Sequence, residues 1–166
     1  MTGTLKISEG ISGFANSAIW LIVGAFLFSR GFIKTGLGKR IAYNLISAFG
    51  SSSLRLAYAL ALSDLILAPA TPSNTARVGG VIMPITTSLA KAFGSEPQDG
   101  PRKIGSFLMQ SIYQVNTITS AMFQTSMAGN TLVAALALQS FGIGITWGDW
   151  AMAAIVPGII ALIIMP

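Results

Sequence analysis

The amino-acid sequence predicts an all-α membrane protein, and three observations predict it. Apolar residues make up 52% of the chain and charged residues only 9%, against about 25% charged in a soluble domain. Mean hydropathy is +0.70, so lipid must replace water over much of the surface. The apolar residues fall into runs of roughly 16 to 22, near the length that crosses a hydrocarbon layer ~30 Å thick.

Composition also excludes several functions. The chain has no Cys and no His. Disulfides, Cys/His zinc sites and a Ser-His-Asp triad within the chain are therefore ruled out. The net charge of +5 comes from only ten basic and five acidic residues. That is too sparse for a nucleic-acid stripe, and in a membrane protein it marks cytoplasmic loops. The first 13 residues contain Gly3, Gly10 and Gly13 and no apolar core after a basic start, so they do not read as a signal peptide. The chain ends at Pro166 inside an apolar run and reads as a fragment of something longer. An intramembrane enzyme without His would need a Ser–Lys or carboxylate pair, or a metal. Every Lys lies in a loop or at the interface, so neither an enzyme nor a cofactor is expected.

Four segments follow along the chain. Residues 1–53 hold a transmembrane helix, 14 to 32, followed by Arg30, Lys34, Lys39 and Arg40 with no acid among them. Leu37, Ile41, Leu45, Ile46 and Phe49 then recur at helical spacing, as in a helix lying in the membrane interface. Residues 54–93 form two apolar arms of about 16 residues, short for a full crossing. They are joined by Ala68-Pro69-Ala70-Thr71-Pro72-Ser73-Asn74-Thr75. This pattern predicts a re-entrant hairpin, whose irregular tip needs protein or a watery cavity around it. The competing reading is two full spans joined by an ordinary outside turn.

Residues 94–141 open with a polar loop and continue as a helix from Ile104 to about Thr125. The helix breaks at Ser126-Met127-Ala128-Gly129-Asn130-Thr131 and resumes as far as Phe141, like the discontinuous helices of transporters. Residues 142–166 are an outer loop and a truncated transmembrane helix. Lys and Arg number five in residues 30 to 55, three in 91 to 103 and none in 142 to 149. The first two loops are thus cytoplasmic and the third outside, with Trp147 and Trp150 placed for an interfacial aromatic belt.

The strongest chemical signal is Thr71-Pro72-Ser73-Asn74-Thr75-Ala76-Arg77. Hydroxyl and amide side chains offer donors without fixed charge. A helix beginning near Thr75 would aim its N-terminus, which favours anions, at the same place. Together these make a carboxylate cradle; the plainer reading is a capped loop in which Ser73 and Asn74 only satisfy helix ends. Asp64 and Arg77 lie about 6.5 positions either side of the Ala70–Thr71 bond in arms where a charge costs ~2.5–3.5 kcal/mol. They form either a structural ion pair or a site in which Arg77 balances substrate charge. A polar stripe of Ser106, Gln110, Tyr113, Thr117, Ser120 and Gln124 predicts a helix face turned to other helices or a cavity.

Pro69 to Arg77, followed by Gly79-Gly80 and Met83-Pro84-Ile85, resembles the divalent anion:sodium symporter family. The likeness is to the branch of citrate/succinate antiporters and 2-oxoglutarate/malate translocators. Segments 20 to 26, 35 to 41 and Trp147-Gly148-Asp149-Trp150 are similar to that branch as well. The resemblance implies one half of an inverted-repeat transporter, with a re-entrant helical hairpin and a broken transmembrane helix. It implies a homodimer working by an elevator movement in a bacterial inner membrane, and a second half of the same polypeptide that completes the site. Carried over, Ser73, Asn74 and Thr75 bind substrate carboxylate, with Arg77 beside them. Gly129, Asn130 and Thr131 serve an ion site or hairpin contact. Sodium-coupled members tend to have Ser four positions before the tip Ser, where this chain has Pro69. With the Arg77 guanidinium in place of the charge that sodium would bring, sodium-independent exchange of carboxylates is expected, with sodium-coupled dicarboxylate or sulfate symport as the alternative.

Overall fold

The structure, a computed structural model, describes residues 6–15, 17–50, 52–98 and 103–166. Helices follow one another, with no strand among the described residues. A short helix α1 (Ile7–Gly10) and a 3-10 turn (Ser12–Ala15) precede α2 (Ser17–Thr35) and α3 (Leu37–Phe49). Gly36, at φ 69°, lets the chain turn sharply between them, a conformation that costs a residue with Cβ.

The hairpin comes next. Its first arm is α4 (Ser53–Leu67) extended by a 3-10 turn (Ala68–Ala70). Its second arm is α5 (Asn74–Arg77), a π turn (Val78–Ile82) and α6 (Met83–Ala92), continuous in that order. The arms hold 18 and 19 residues, or about 27 Å each at ~1.5 Å per residue. They are longer than the sequence suggests. The 3-10 turn carries the first arm past Pro69, and the π turn carries the second through Gly79-Gly80.

The rest of the chain is α7 (Ile104–Met122), a 3-10 turn (Gln124–Ser126), α8 (Ala128–Phe141) and α9 (Trp147–Ile164). A broken helix is present, with Phe123 and Met127 extended on either side of the 3-10 turn, but it breaks about three residues earlier than expected, and Gly129, Asn130 and Thr131 already belong to α8. Gly142, at φ 68° with its N–H on the Leu138 carbonyl, ends α8, as a left-handed C-terminal glycine does.

Helices α4 and α7 form the centre. One cluster joins Ala42, Leu56, Leu60, Leu67, Val81, Ile82, Ile85, Leu108 and Ile112. A second joins Ala61, Val115, Met122 and Leu162. Protein contacts bury Leu56, Ala57, Leu60 and Leu67 of α4, while Leu54, Tyr58, Leu62 and Ile66 leave a second apolar face exposed, suited to lipid or further polypeptide. Helix α3 runs antiparallel along α4. An added Cβ on Gly38 would meet Val81 and Leu67, and Gly50 at the other end faces Leu56. Ile41 and Ile46 of its stripe pack on the core beside the wholly buried Ala42, while Leu37 and Phe49 at its two ends are exposed. Ala42→Leu should therefore overpack this seam and destabilise by about 1–3 kcal/mol. Thermal unfolding in detergent measures this, with exposed Tyr43→Leu as the unaffected control.

Among the described residues two helical stretches, Ser53–Ala70 and Trp147–Ile164, are long and apolar enough to cross a membrane. Helix α9 exposes Met152, Val156, Ile160, Ile163 and Ile164, a surface suited to lipid or to further polypeptide. The polar stripe on α7 is less buried than its pattern predicts. Ser106, Gln110, Tyr113 and Thr117 are exposed, and Ser120 is the member that enters the interior. Ser111 and Thr119, outside the stripe, are buried instead.

Candidate functional site

The hairpin tip is built from residues that interrupt helices. Pro72 has no N–H and fixes its own φ, which leaves the first arm without a continuing donor. Thr71 turns extended, and its hydroxyl donates to the Leu67 carbonyl at 2.7 Å. Ser73 is extended and caps the second arm, its Oγ accepting from the Ala76 N–H at 3.2 Å. Asn74 Oδ1 accepts from the Thr75 N–H at 2.8 Å. The Asn74 backbone N–H and side-chain Nδ2 have no partner among the described residues. Ser73 and Asn74 are half-buried and Thr75 is exposed. The tip thus presents hydroxyls, a carboxamide and a free backbone N–H on one small surface.

Behind that surface lies Arg77, which is 0% exposed. Its Nε donates to Asp64 Oδ1 at 2.9 Å, so the ion pair expected from their equal distances to the tip is formed. Nη1 donates to the carbonyls of Thr71 and Ser126, each at 3.3 Å. Nη2 donates to Thr119 Oγ1 at 3.2 Å and to Ser120 Oγ at 2.9 Å. Thr119 in turn donates its proton to Asp64 Oδ2. A guanidinium has five N–H donors, and all five are used. Arg77 therefore joins both hairpin arms, the tip, the end of α7 and the break. It does not face the exposed tip as the expected substrate contact would, and an anion would have to displace one of these partners to touch it.

The break is held by its own polar residues. The final carbonyls of α7 lack intrahelical partners. Asn130 Nδ2 donates to the Ser120 carbonyl at 2.7 Å and to the Phe123 carbonyl at 3.0 Å. Thr131 donates to the Gln124 carbonyl at 3.3 Å. Gly129 precedes them, and an added Cβ there would meet Met127 Cε at 3.3 Å. All three residues lie in the first turn of α8, from which the Asn130 side chain reaches back to the end of α7 and that of Thr131 to the 3-10 turn. The hydrogen bonds from the break to the hairpin come instead from Thr125, donating to the Pro69 carbonyl at 2.8 Å, and from the Ser126 carbonyl. The sequence pattern assigns no role to Thr119 and marks Thr125 and Ser126 only as the edge of the break. The signal for them was slight: short hydroxyl residues beside a break.

Among the described residues no group of His, Cys, Asp and Glu could hold a metal ion. The polar chemistry is made of uncharged donors around one neutralised ion pair. Uncharged polar groups gathered at a hairpin tip and a helix break, inside apolar helices, are the architecture of membrane transport proteins with discontinuous helices.

Comparison with known proteins agrees. The model of the sodium:sulfate symporter transmembrane region matches residues 1–166. The Bacillus subtilis protein YflS, named as a malate transporter, is 58% identical over 100% of this chain and 35% of its own length. The chloroplastic dicarboxylate transporter 1 of Spinacia oleracea is 50% identical over 100% of this chain and 29% of its own. An L-tartrate/succinate antiporter of Escherichia coli is 43% identical over 97% of this chain and 33% of its own. The chain belongs to the divalent anion:sodium symporter family. It spans about a third of the length of these relatives.

Proposed function

We propose that the complete polypeptide containing this chain is a secondary transporter, not an enzyme, that exchanges di- or tricarboxylates across a bacterial inner membrane without sodium. The observation that carries this reading is the tip. Ser73, Asn74 and Thr75 stand at the N-terminus of a continuous helical arm with the Asn74 donors uncommitted. Free N–H groups at a helix start favour a carboxylate. Donors without fixed charge hold a dianion by hydrogen bonds alone, weakly enough for it to leave again. The relatives' names supply the class of anion.

In this reading the hairpin is re-entrant and the tip is the first half of the site. The second half, related by an inverted repeat, comes from the rest of the polypeptide. A homodimer carries the two sites through an elevator movement. Gly129, Asn130 and Thr131 keep the break in shape. Arg77 acts from behind as a positioning residue rather than as a contact. Because Asp64 neutralises it, Arg77 is not a free counter-charge standing in for sodium. Exchange is supported instead by the relative named as an antiporter.

The alternative, sodium-coupled symport of a dicarboxylate or sulfate, is favoured by the description of the family model. One experiment separates the two. Proteoliposomes carrying the complete polypeptide and preloaded with unlabelled succinate should take up labelled succinate equally with sodium or potassium outside. Empty vesicles should take up little. Uptake that requires sodium and ignores internal succinate would establish symport, and efficient exchange against sulfate alone would change the substrate class.

A further inference from the structure

We propose that Trp147 is a positioning residue for the hairpin tip, acting through Thr125; this rests on the reading that the tip binds substrate. The Trp147 indole Nε1 donates to Thr125 Oγ1 at 3.0 Å, and Thr125 Oγ1 donates to the Pro69 carbonyl at 2.8 Å. A threonine hydroxyl has one proton, and an indole N–H only donates. With the indole on one lone pair, the Thr125 proton is directed at Pro69. The Pro69 carbonyl needs that donor. In the 3-10 turn its partner would be the N–H of residue 72, and Pro72 has none. A side chain across the break supplies what the local sequence withholds.

Several contacts fix Trp147 for this task. Thr146 and Asp149 form a reciprocal capping box that sets the first turn of α9. The indole stacks on Phe123, ring centroids 5.9 Å apart and planes within 16°. Gln124 Nε2 donates to the Ile145 carbonyl at 3.4 Å, and Trp150 Nε1 to the Ala121 carbonyl at 2.9 Å. These fasten the start of α9 to the end of α7 and the break, and the indole N–H alone among them continues, through Thr125, to the hairpin. The relay holds the peptide at Pro69, just before Thr71, from one side. Arg77 holds the Thr71 carbonyl from the other.

The test uses the complete polypeptide in proteoliposomes, with transport normalised to folded, reconstituted protein. Trp147→Phe keeps the stacking ring and removes the donor. Thr125→Val keeps the shape and removes both hydrogen bonds, and Thr125→Ser restores the hydroxyl. The expected result is a KM for labelled succinate raised about tenfold by Thr125→Val and roughly threefold by Trp147→Phe, with maximal rate within about twofold of the parent. Thr125→Ser should restore KM to within about twofold, and the double variant should be no worse than Thr125→Val alone, as one relay requires. A merely structural role would lower the folded yield and leave KM unchanged, which overturns the proposal. Independent, additive effects of the two substitutions would overturn it too. Where Thr125→Val fails to fold, the KM of Trp147→Phe decides. A parent protein that exchanges no carboxylate contradicts the proposed function instead, whereas normal KM values in a parent that exchanges succinate contradict only the relay.

Discussion

Arg77→Met and Asp64→Leu should each abolish accumulation of folded transporter, and combining them should recover part of the fold without recovering transport. Either single substitution leaves a charge buried and unpaired, since both side chains are almost wholly enclosed. Breaking a buried pair in this way costs about 3–5 kcal/mol, whereas exchanging both members for apolar residues of similar volume is often near neutral. Recovery here should be partial. Thr119, Ser120 and the carbonyls of Thr71 and Ser126 would still lack the donor or acceptor they now have. The tip would lose the guanidinium that ties it to α7 and the break, so exchange should remain absent. Fluorescence size-exclusion profiles and thermal unfolding in detergent measure the fold, and labelled succinate uptake measures the function. A double variant as unstable as either single one would show that the hydrogen bonds to uncharged groups outweigh the ion pair.

Asn74→Ala should have the opposite signature, with normal abundance and transport reduced by about 10- to 100-fold. Hydrogen bonds to a charged ligand are each worth about 1.5–3 kcal/mol. The Asn74 carboxamide Nδ2 serves no partner among the described residues, and Oδ1 accepts only from Thr75 next to it, so the cost to the fold should stay below ~1 kcal/mol. Ser73→Ala should show both effects. It removes a donor from the tip and also the cap on the Ala76 N–H, and a lost cap costs ~1 kcal/mol of stability. Uptake measured beside surface abundance separates the two variants. Unimpaired exchange by Asn74→Ala would remove the carboxamide from the site.

Much of this arrangement was legible in the sequence. Proline, glycine and short polar residues interrupt apolar runs at 68 to 75 and 126 to 131; the helices break within the first, and at 123 to 127, about three residues ahead of the second. The equal spacing of Asp64 and Arg77 about the tip foretold their pairing. What could not be read was how far each arm continues through 3-10 and π turns, because those depend on which carbonyls find side-chain donors. The packing of α3 against α4 was hidden for a related reason. An amphipathic stripe looks the same whether lipid headgroups or another helix cover it. The saturation of Arg77 was the furthest from view. Its partners Thr119, Ser120 and Ser126 lie 42 to 49 positions away in the chain; the polar stripe and the break mark Ser120 and Ser126 as inward or irregular, but nothing in the pattern pairs them, or Thr119, with Arg77.

The absence of cysteine from the chain provides the most direct test of whether the tip holds the anion. In a cysteine-free version of the complete polypeptide, Thr75→Cys places one thiol at the exposed edge of the tip, and Tyr113→Cys places a control on the outer face of α7. Succinate should slow maleimide labelling at position 75, with half-protection at the concentration that half-saturates exchange, and leave position 113 unaffected. Labelling at 75 that proceeds at the same rate with and without succinate, in a variant that still exchanges it, would place the substrate elsewhere.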